Sequence, residues 1–464
     1  MGHRYLLLAG TVLLAGCSMN PALDKPSLPV MSNYPAYAGV DSENAADLSW
    51  KAMFGDARLQ ELIRIALQNN RDLRVALLNV EAAQAQFVIQ RGQRFPNLDA
   101  NSTYSQQKTA EDLSQGVQGT RVRQHTVDLA MTSFEIDLFG RLRSMSEAAF
   151  ERYLSTDEGR KSAQIALIGA VADAYLSERL AEEQLHLTER TLIDWKKSLE
   201  LTQMLKVADQ NSGLDITEAE SIVYQTEADL EKRRRILMQA GNLLTLLVGS
   251  EIPQNLPTPI PLLQQPISTE LPAGLPSELL ANRPDIKQAE HELIAANADI
   301  GAARAAFFPR LSLTAALGFA SADLSGLFSS ENKTWSYAPQ VSLPLFRGGA
   351  LKGELNLAKL RKSAAVANYE KTIQVAFREV ADGLAGRVTY GNQVAAQIRT
   401  VNAELKRLQL SDMRYKAGLD SRLQLLDAQR TSYASQQLLL DIKFEEYQNA
   451  ANLYKALGGG LKGE

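Results

Sequence analysis

The sequence predicts an α+β membrane protein: two tandem repeats whose long helices assemble into an α-helical barrel and whose strands, four per chain, belong to a transmembrane β-barrel. Three observations lead there. Motifs recur in the same order in two parts of the chain. Each part holds helical patterns far longer than a compact domain can bury. Each part also holds a pair of segments in which apolar residues alternate with small or polar ones.

The N-terminus comes first. His3 and Arg4 precede an apolar run from Tyr5 to Ala15, too short for the roughly 20 residues that span a bilayer as a helix. Residues 1–16 therefore read as a signal peptide. The run ends in Leu14-Ala15-Gly16-Cys17, which resembles the bacterial lipobox and implies acylation of Cys17. An ordinary secretory peptide with an incidental cysteine also fits. Against it, Cys17 is the only cysteine of 464 residues and cannot form an internal disulfide. Ser18, where Asp would favour inner-membrane retention, points to the outer membrane. Residues 17–58 read as an extended, lipid-anchored N-terminal segment. Beyond Cys17 no apolar stretch is long enough for a transmembrane helix, so a helical membrane protein is excluded. Lys plus Arg total 49 and Asp plus Glu 53, a net charge of -4, which offers no footprint for nucleic acid.

Two copies of one unit follow. Asn70-Arg71-Asp72-Leu73 through Phe95-Pro96-Asn97-Leu98 parallels Asn282-Arg283-Pro284-Asp285-Ile286 through Phe308-Pro309-Arg310-Leu311 without a gap. Asp137-Leu138-Phe139-Gly140 parallels Pro344-Leu345-Phe346-Arg347. Ser212-Gly213-Leu214 parallels Ser421-Arg422-Leu423, and Asn242 with Gly249 parallels Asn452 with Gly459. The first repeat spans 59–250 and the second 277–459. Between them lies a proline-rich linker, 251–276, read as extended and on the surface.

Each copy starts with a helix, about 59–94 and 277–307, closed by a Phe-Pro pair. Strands are expected at 97–107 and 124–137, then at 310–321 and 334–346. Long helices are expected at 145–208 and 213–249, then at 350–416 and 421–457. A helix of 60-odd residues is about 90 Å long. It needs a coiled coil or an assembled bundle to cover it.

Leu311, Leu313, Leu317 and Phe319 alternate with Ser312, Thr314, Gly318 and Ala320; Trp335, Tyr337, Val341 and Leu343 alternate with Ser336, Ala338, Gln340 and Ser342. A half-buried soluble hairpin fits this pattern. So does a membrane strand with its apolar face in lipid, its small polar face in a water-filled lumen, and Trp335 and Tyr337 in an interfacial belt. On the membrane reading four strands cannot close a water-filled barrel, and an open edge cannot survive in lipid, so several chains must share one barrel.

The last helix carries two seams stepping by three and four. One is Leu423, Leu426, Arg430, Tyr433, Gln437, Leu440; the other is Leu425, Ala428, Ser432, Ser435, Leu439, Ile442. Two seams call for neighbours on both sides, as in a closed cylinder of helices, although an up-down bundle with a broad apolar face also fits. No catalytic constellation is present. His3, His125, His186 and His291 are scattered without metal-ligand spacing, and neither a CxxC nor a phosphate-binding glycine loop occurs. No enzyme, no metal and no cofactor beyond the lipid on Cys17 is expected.

This order of elements resembles the outer membrane factor family of TolC-like efflux channels, in particular its NodT-type lipoprotein branch. The carriers are Leu48 to Ala76 (LSWKAMFGDARLQELIRIALQNNRDLRVA), Phe95-Pro96, FEIDLFG from Phe134, NRPDI from Asn282, FPRL from Phe308, SLPLFRGG from Ser342 and YKAGLDSRLQLLDAQR from Tyr415 to Arg430. The resemblance covers nearly the whole mature chain. It implies a homotrimer with a twelve-stranded barrel and a helical tube crossing the periplasm. It implies an outer-membrane exit duct served by a periplasmic adaptor and an inner-membrane pump, a drug pump before a secretion ATPase. By motif position it implies a periplasmic gate at Tyr415, Leu423, Asp427 and Arg430. Asp427 and Arg430 would link neighbouring helices, Tyr415 would join their hydrogen bonds, and Leu423 would form an apolar ring. A plain i, i+3 surface pair is the other reading of Asp427 and Arg430. The first copy has Glu218 and Ser221 at those places, so the lock is expected in the second copy alone. A lipid-anchored coiled-coil scaffold without a pore is the rival to a channel.

Overall fold

The computed structural model describes residues 19–23, 26, 29–30, 45–108, 121–209, 212–272 and 278–461; Cys17 and the signal peptide lie outside them. Helices and strands run in the order α1 Trp50–Met53, α2 Ala57–Asn69, α3 Arg71–Gly92, β1 Asp99–Lys108, β2 Arg121–Ile136, α4 Arg141–Val207, α5 Gly213–Val248, α6 Leu279–Asn282, α7 Pro284–Ala305, β3 Arg310–Ser321, β4 Lys333–Ser342, α8 Ala350–Lys416 and α9 Arg422–Ala456. Among the described residues no helix is long and apolar enough to cross a membrane.

The opening helix of each copy is broken where a single helix was expected. Asn70 takes extended backbone (φ -61, ψ 130) between α2 and α3. Its side chain replaces the lost helical bonds: Oδ1 accepts from Leu73 N at 3.0 Å, and Nδ2 donates to Leu247 O at 2.9 Å. In the second copy the break falls at Arg283, and Pro284 forces it, since the residue before proline is pushed out of the helical region. Arg283 Nη1 donates to Ala456 O at 3.0 Å, so both joints reach back to the end of their copy's last helix. A left-handed glycine allows each approach. A Cβ on Gly249 (φ +76) would stand 2.5 Å from Asn69 O; one on Gly458 (φ +88) would stand 2.6 Å from Asn282 O. The structural counterpart of Gly249 is thus Gly458, one residue before the Gly459 of the sequence parallel. Burial works against the charge of Arg283, but hydrogen bonds to Asp285 (2.6 Å) and Glu379 (2.7 Å) hold its pKa above the ordinary value.

Two compact units result, and each draws on both copies. One holds the described residues before Leu28 with Asn79–Thr156 and Gln288–Tyr369; the other holds Leu28–Leu78, Asp157–Lys287 and Glu370–Glu464. The long helices α4 and α8 contribute to both.

The first unit carries a four-stranded antiparallel sheet in the order β1-β2-β3-β4. The strands start and stop within three residues of expectation except β4, which ends at Ser342 rather than 346.

In the second unit α4, α5 and α9 enclose Leu185, Leu192, Trp195, Ile222, Val223, Leu230 and Leu426. Asp56 caps α2 by accepting from Arg58 N at 2.8 Å, and it also accepts from the buried Tyr175 hydroxyl at 2.6 Å. Residues 251–272 of the linker are mostly extended, with one 3-10 turn at Leu262–Gln264, but they are not all at the surface. Leu262 and Leu271 are buried, and Ile267 bridges to Phe54, because apolar residues between the prolines can enter the core.

Asp173 on α4 is the least comfortable carboxylate of this unit. Its Oδ1 is buried without a hydrogen-bond partner among the described residues. Burial pushes the carboxyl up to about 6, with Lys455 pulling the other way. A carboxyl with a raised pKa favours the fold while protonated. That contribution is complete below about pH 4 and is lost as pH rises through 6. Asp173→Asn should therefore raise stability at pH 8 by about 3 kcal/mol and leave it unchanged near pH 4. Urea unfolding at the two pH values checks this, and an equal effect at both would refute it.

Candidate functional site

Two places bring the sequence-predicted residues together: the sheet of the first unit and the turn between α8 and α9 in the second.

The sheet register sorts its side chains onto two faces. Ala100 pairs with Leu129, Leu129 with Leu317 and Leu317 with Trp335. Met131 pairs with Ala315 and Ala315 with Tyr337; Phe134 pairs with Leu313, and Ile136 with Leu311. These residues share one face because successive strand residues point to opposite sides. Asn101–Asp128–Gly318–Thr334 and Ala130–Ala316–Ser336 make the other, small and polar. The apolar face is bare: Leu129 is 58% exposed, Leu317 52%, Trp335 77% and Tyr337 62%. The outer edges of β1 and β4 carry no partner strand among the described residues.

A bulge holds that face together. Val127, Leu129 and Met131 are spaced by two, but Phe134 breaks the step. Thr132 and Ser133 stand opposite the single Thr314, so Phe134 and Ile136 return to the apolar side. Ser133 takes φ 49 and its N–H donates to Thr314 Oγ1 at 3.2 Å.

At the other site, α8 ends in a Schellman turn. Gly418 (φ +72) donates to Tyr415 O at 2.9 Å and Leu419 N to Arg414 O at 2.9 Å. The turn brings α9 back antiparallel to α8. Asp427 then pairs with Arg407 on α8, and not with Arg430. Arg430 is exposed and forms no ion pair among the described residues. It borders a cavity of about 240 Å³ with Trp195, Asp229 and Tyr433. Tyr433 donates to Asp229 Oδ2 at 2.8 Å, which keeps that carboxylate beside the cavity. Leu423 is 67% exposed at the start of α9.

Tyr415 meets Arg422, whose guanidinium lies 5.6 Å from its ring centre. Arg422 is buried, which lowers its pKa, while Tyr415, Asp215 and Glu218 act to raise it. Its Nη1 donates to Ser198 Oγ at 2.7 Å, tying the second copy's hairpin to the first copy's α4. Sequence reasoning missed Arg407 and Arg422. For Arg407 a signal existed: it and Asp427 lie at near-equal distances along the chain on either side of Gly418, where antiparallel helices place partners. For Arg422 none did, since Ser198 belongs to the other copy.

The two hairpins differ in cover. On α9, Leu425, Ala428, Ser432, Ser435 and Ile442 of one seam and Leu426, Gln437 and Leu440 of the other are buried. On α5, Ala219, Val223, Thr226 and Leu230 are buried, but Leu214, Thr217, Ser221 and Tyr224 are exposed. One face of α5 therefore lacks a cover among the described residues.

The chain is similar to known proteins over nearly its whole length. Residues 62–250 and 275–459 match the family described as outer membrane efflux protein. The solvent efflux pump outer membrane protein SrpC of Pseudomonas putida is 45% identical over 99% of this chain and 99% of its own. A membrane protein from Pseudomonas aeruginosa has a structure that superimposes with TM-score 0.89 at 41% identity, covering 96% of this chain and 98% of that one. The open state of the Neisseria gonorrhoeae outer membrane channel MtrE gives TM-score 0.88 at 41% identity, over 96% and 99% of the two chains. With its paired repeats and its bare-faced sheet, the chain belongs to the outer membrane efflux protein family.

Proposed function

We propose that three copies of this chain form the outer-membrane exit duct of a tripartite efflux system, conducting small molecules passively from a periplasmic adaptor and an inner-membrane pump to the outside. Membership of the family already makes the chain an outer-membrane efflux component and not an enzyme. The observation that carries the rest is the sheet. It has a continuous apolar face, a small polar face and two open edges, and four strands cannot enclose a lumen. Three copies supply twelve strands, and the uncovered face of α5 offers the helices a second contact. Cys17 carries the lipid that tethers the assembly to the outer membrane.

The gate is placed at Tyr415, Leu423, Asp427 and Arg430. Asp427 is held by Arg407 of the same chain, and Arg430 is left to a neighbouring copy. The substrates we propose are organic solvents and amphiphilic drugs, in keeping with the relative described as a solvent efflux pump protein. Energy comes from a drug pump of the inner membrane. Deleting the gene should sensitise the host to toluene-like solvents and to several drug classes. Full complementation should require the adaptor and pump genes, and unchanged resistance across solvents, drugs, detergents and metals would refute the proposal.

A further inference from the structure

The described chain begins two residues after Cys17, and those first residues are held in a built groove. Ser144 Oγ donates to Asn20 Oδ1 at 2.7 Å, and Asn20 Nδ2 donates to Glu147 Oε2 at 3.0 Å. Asn297 Nδ2 donates to Pro21 O at 2.9 Å, and Arg304 Nη1 to Met19 O at 3.3 Å. Ser144 and Glu147 are one turn apart on α4. Asn297, Gly301 and Arg304 follow the i, i+4, i+7 spacing of one face of α7. Ser144 and Asn297 are both buried. Ala148, Ala295 and Ala298 form a small-residue cluster where α4 and α7 meet, so the groove has a tight floor.

Gly301 makes the seat possible. A Cβ there would fall on Asn20 Oδ1 itself and would lie 2.9 Å from Asn20 N. Nothing else about α7 calls for glycine at that place, since an interior helical glycine is disfavoured against alanine. The groove also lies at the strand-proximal ends of its helices. Arg304 is six residues before β3 begins at Arg310, and Ser144 is eight residues after β2 ends at Ile136.

We propose that this groove is a seat for the acylated N-terminus, with Gly301 as its positioning residue. Two residues of chain reach at most about 7 Å, so a lipid on Cys17 must enter the membrane close to the groove. The inference rests on the reading of Cys17 as the acylated terminus. The seat is made from α4 of the first copy and α7 of the second, so it exists only once the two copies have docked. The tether is then fixed to folded protein and does not trail from it.

The test uses the full mature protein extracted from outer membranes, as wild type, Gly301→Ala and Asn20→Ala. Alanine is the better helix former, so Gly301→Ala removes the seat without weakening α7. A protease of broad specificity is added, and loss of the N-terminal residues is followed by intact mass. Both variants should lose them about tenfold faster than wild type, because cleavage tracks the population in which the segment is released. Undigested protein of all three should carry the same acyl mass. Wild-type release rates in both variants would overturn the seat. Faster release together with an unmodified Cys17 would overturn its role as a lipid anchor site and would separately refute the lipoprotein reading.

Discussion

Leu317→Arg is expected to abolish the detergent-resistant oligomer in outer membranes, whereas Ser336→Arg, one strand away on the opposite face, is expected to leave it intact. Leu317 sits mid-strand between Leu129 and Trp335, on a face that nothing covers among the described residues. In lipid, an arginine on the apolar face of a barrel costs up to about 2–4 kcal/mol at the bilayer midplane and less towards the interfaces. Threefold repetition in a shared barrel would multiply that cost to as much as about 6–12 kcal/mol, comparable with the whole stability of a domain. Ser336 shares its face with Ala316 and Ala130, the small polar side that the channel reading turns to the lumen. Arginine there should change single-channel conductance and ion selectivity but not assembly. The two variants exchange roles if the apolar face is the inner one. A soluble hairpin predicts that neither affects membrane insertion, so heat-modifiability on gels separates the readings.

Asp427→Ala and Arg430→Ala should each raise the closed-state conductance of the protein in planar bilayers. An exposed ion pair contributes about 0.2–1 kcal/mol. If the channel is a trimer, three such losses at once shift the ratio of open to closed channels by roughly three- to a hundredfold. Arg407 adds a discriminating variant. If Asp427 acts through its own chain's α8, Arg407→Ala should match Asp427→Ala, and the double variant should add nothing. If Asp427 acts across chains, Arg407→Ala should leave conductance near wild type. Raising the salt concentration should open the wild-type channel towards the variants, since screening weakens exposed pairs. Unchanged closed-state conductance in both Asp427→Ala and Arg430→Ala would remove the gate assignment.

Much of this molecule was readable because its signals are local and periodic. The long helices α4 and α8 declare themselves through sustained helical patterns bounded by Gly140, Gly349 and Gly418. The strands show through alternation, most plainly in β3. β1 was harder: Asp99 to Lys108 is mostly polar, and on the apolar side Ala100 and Tyr104 alternate with Ser102 and Gln106. The duplication was visible because matched motifs kept their order. The helix break at Asn70 was not, because asparagine within a helical pattern does not reveal that its side chain will bond Leu247 O, far away in the chain.

The sequence by itself determined the elements and the two faces of the sheet. Both follow from spacings of two or of three to four residues, which steric rules convert directly into geometry, and the duplication follows from motifs that recur in order. Only the tertiary structure decided that Asp427 meets Arg407, that Arg422 reaches Ser198, that Ser133 bulges to keep Phe134 on the apolar face, and that Asn20 rests on Gly301. These are contacts between segments distant in sequence. They depend on helix register and backbone separation to within an ångström or so, and the period of a pattern carries no information at that scale.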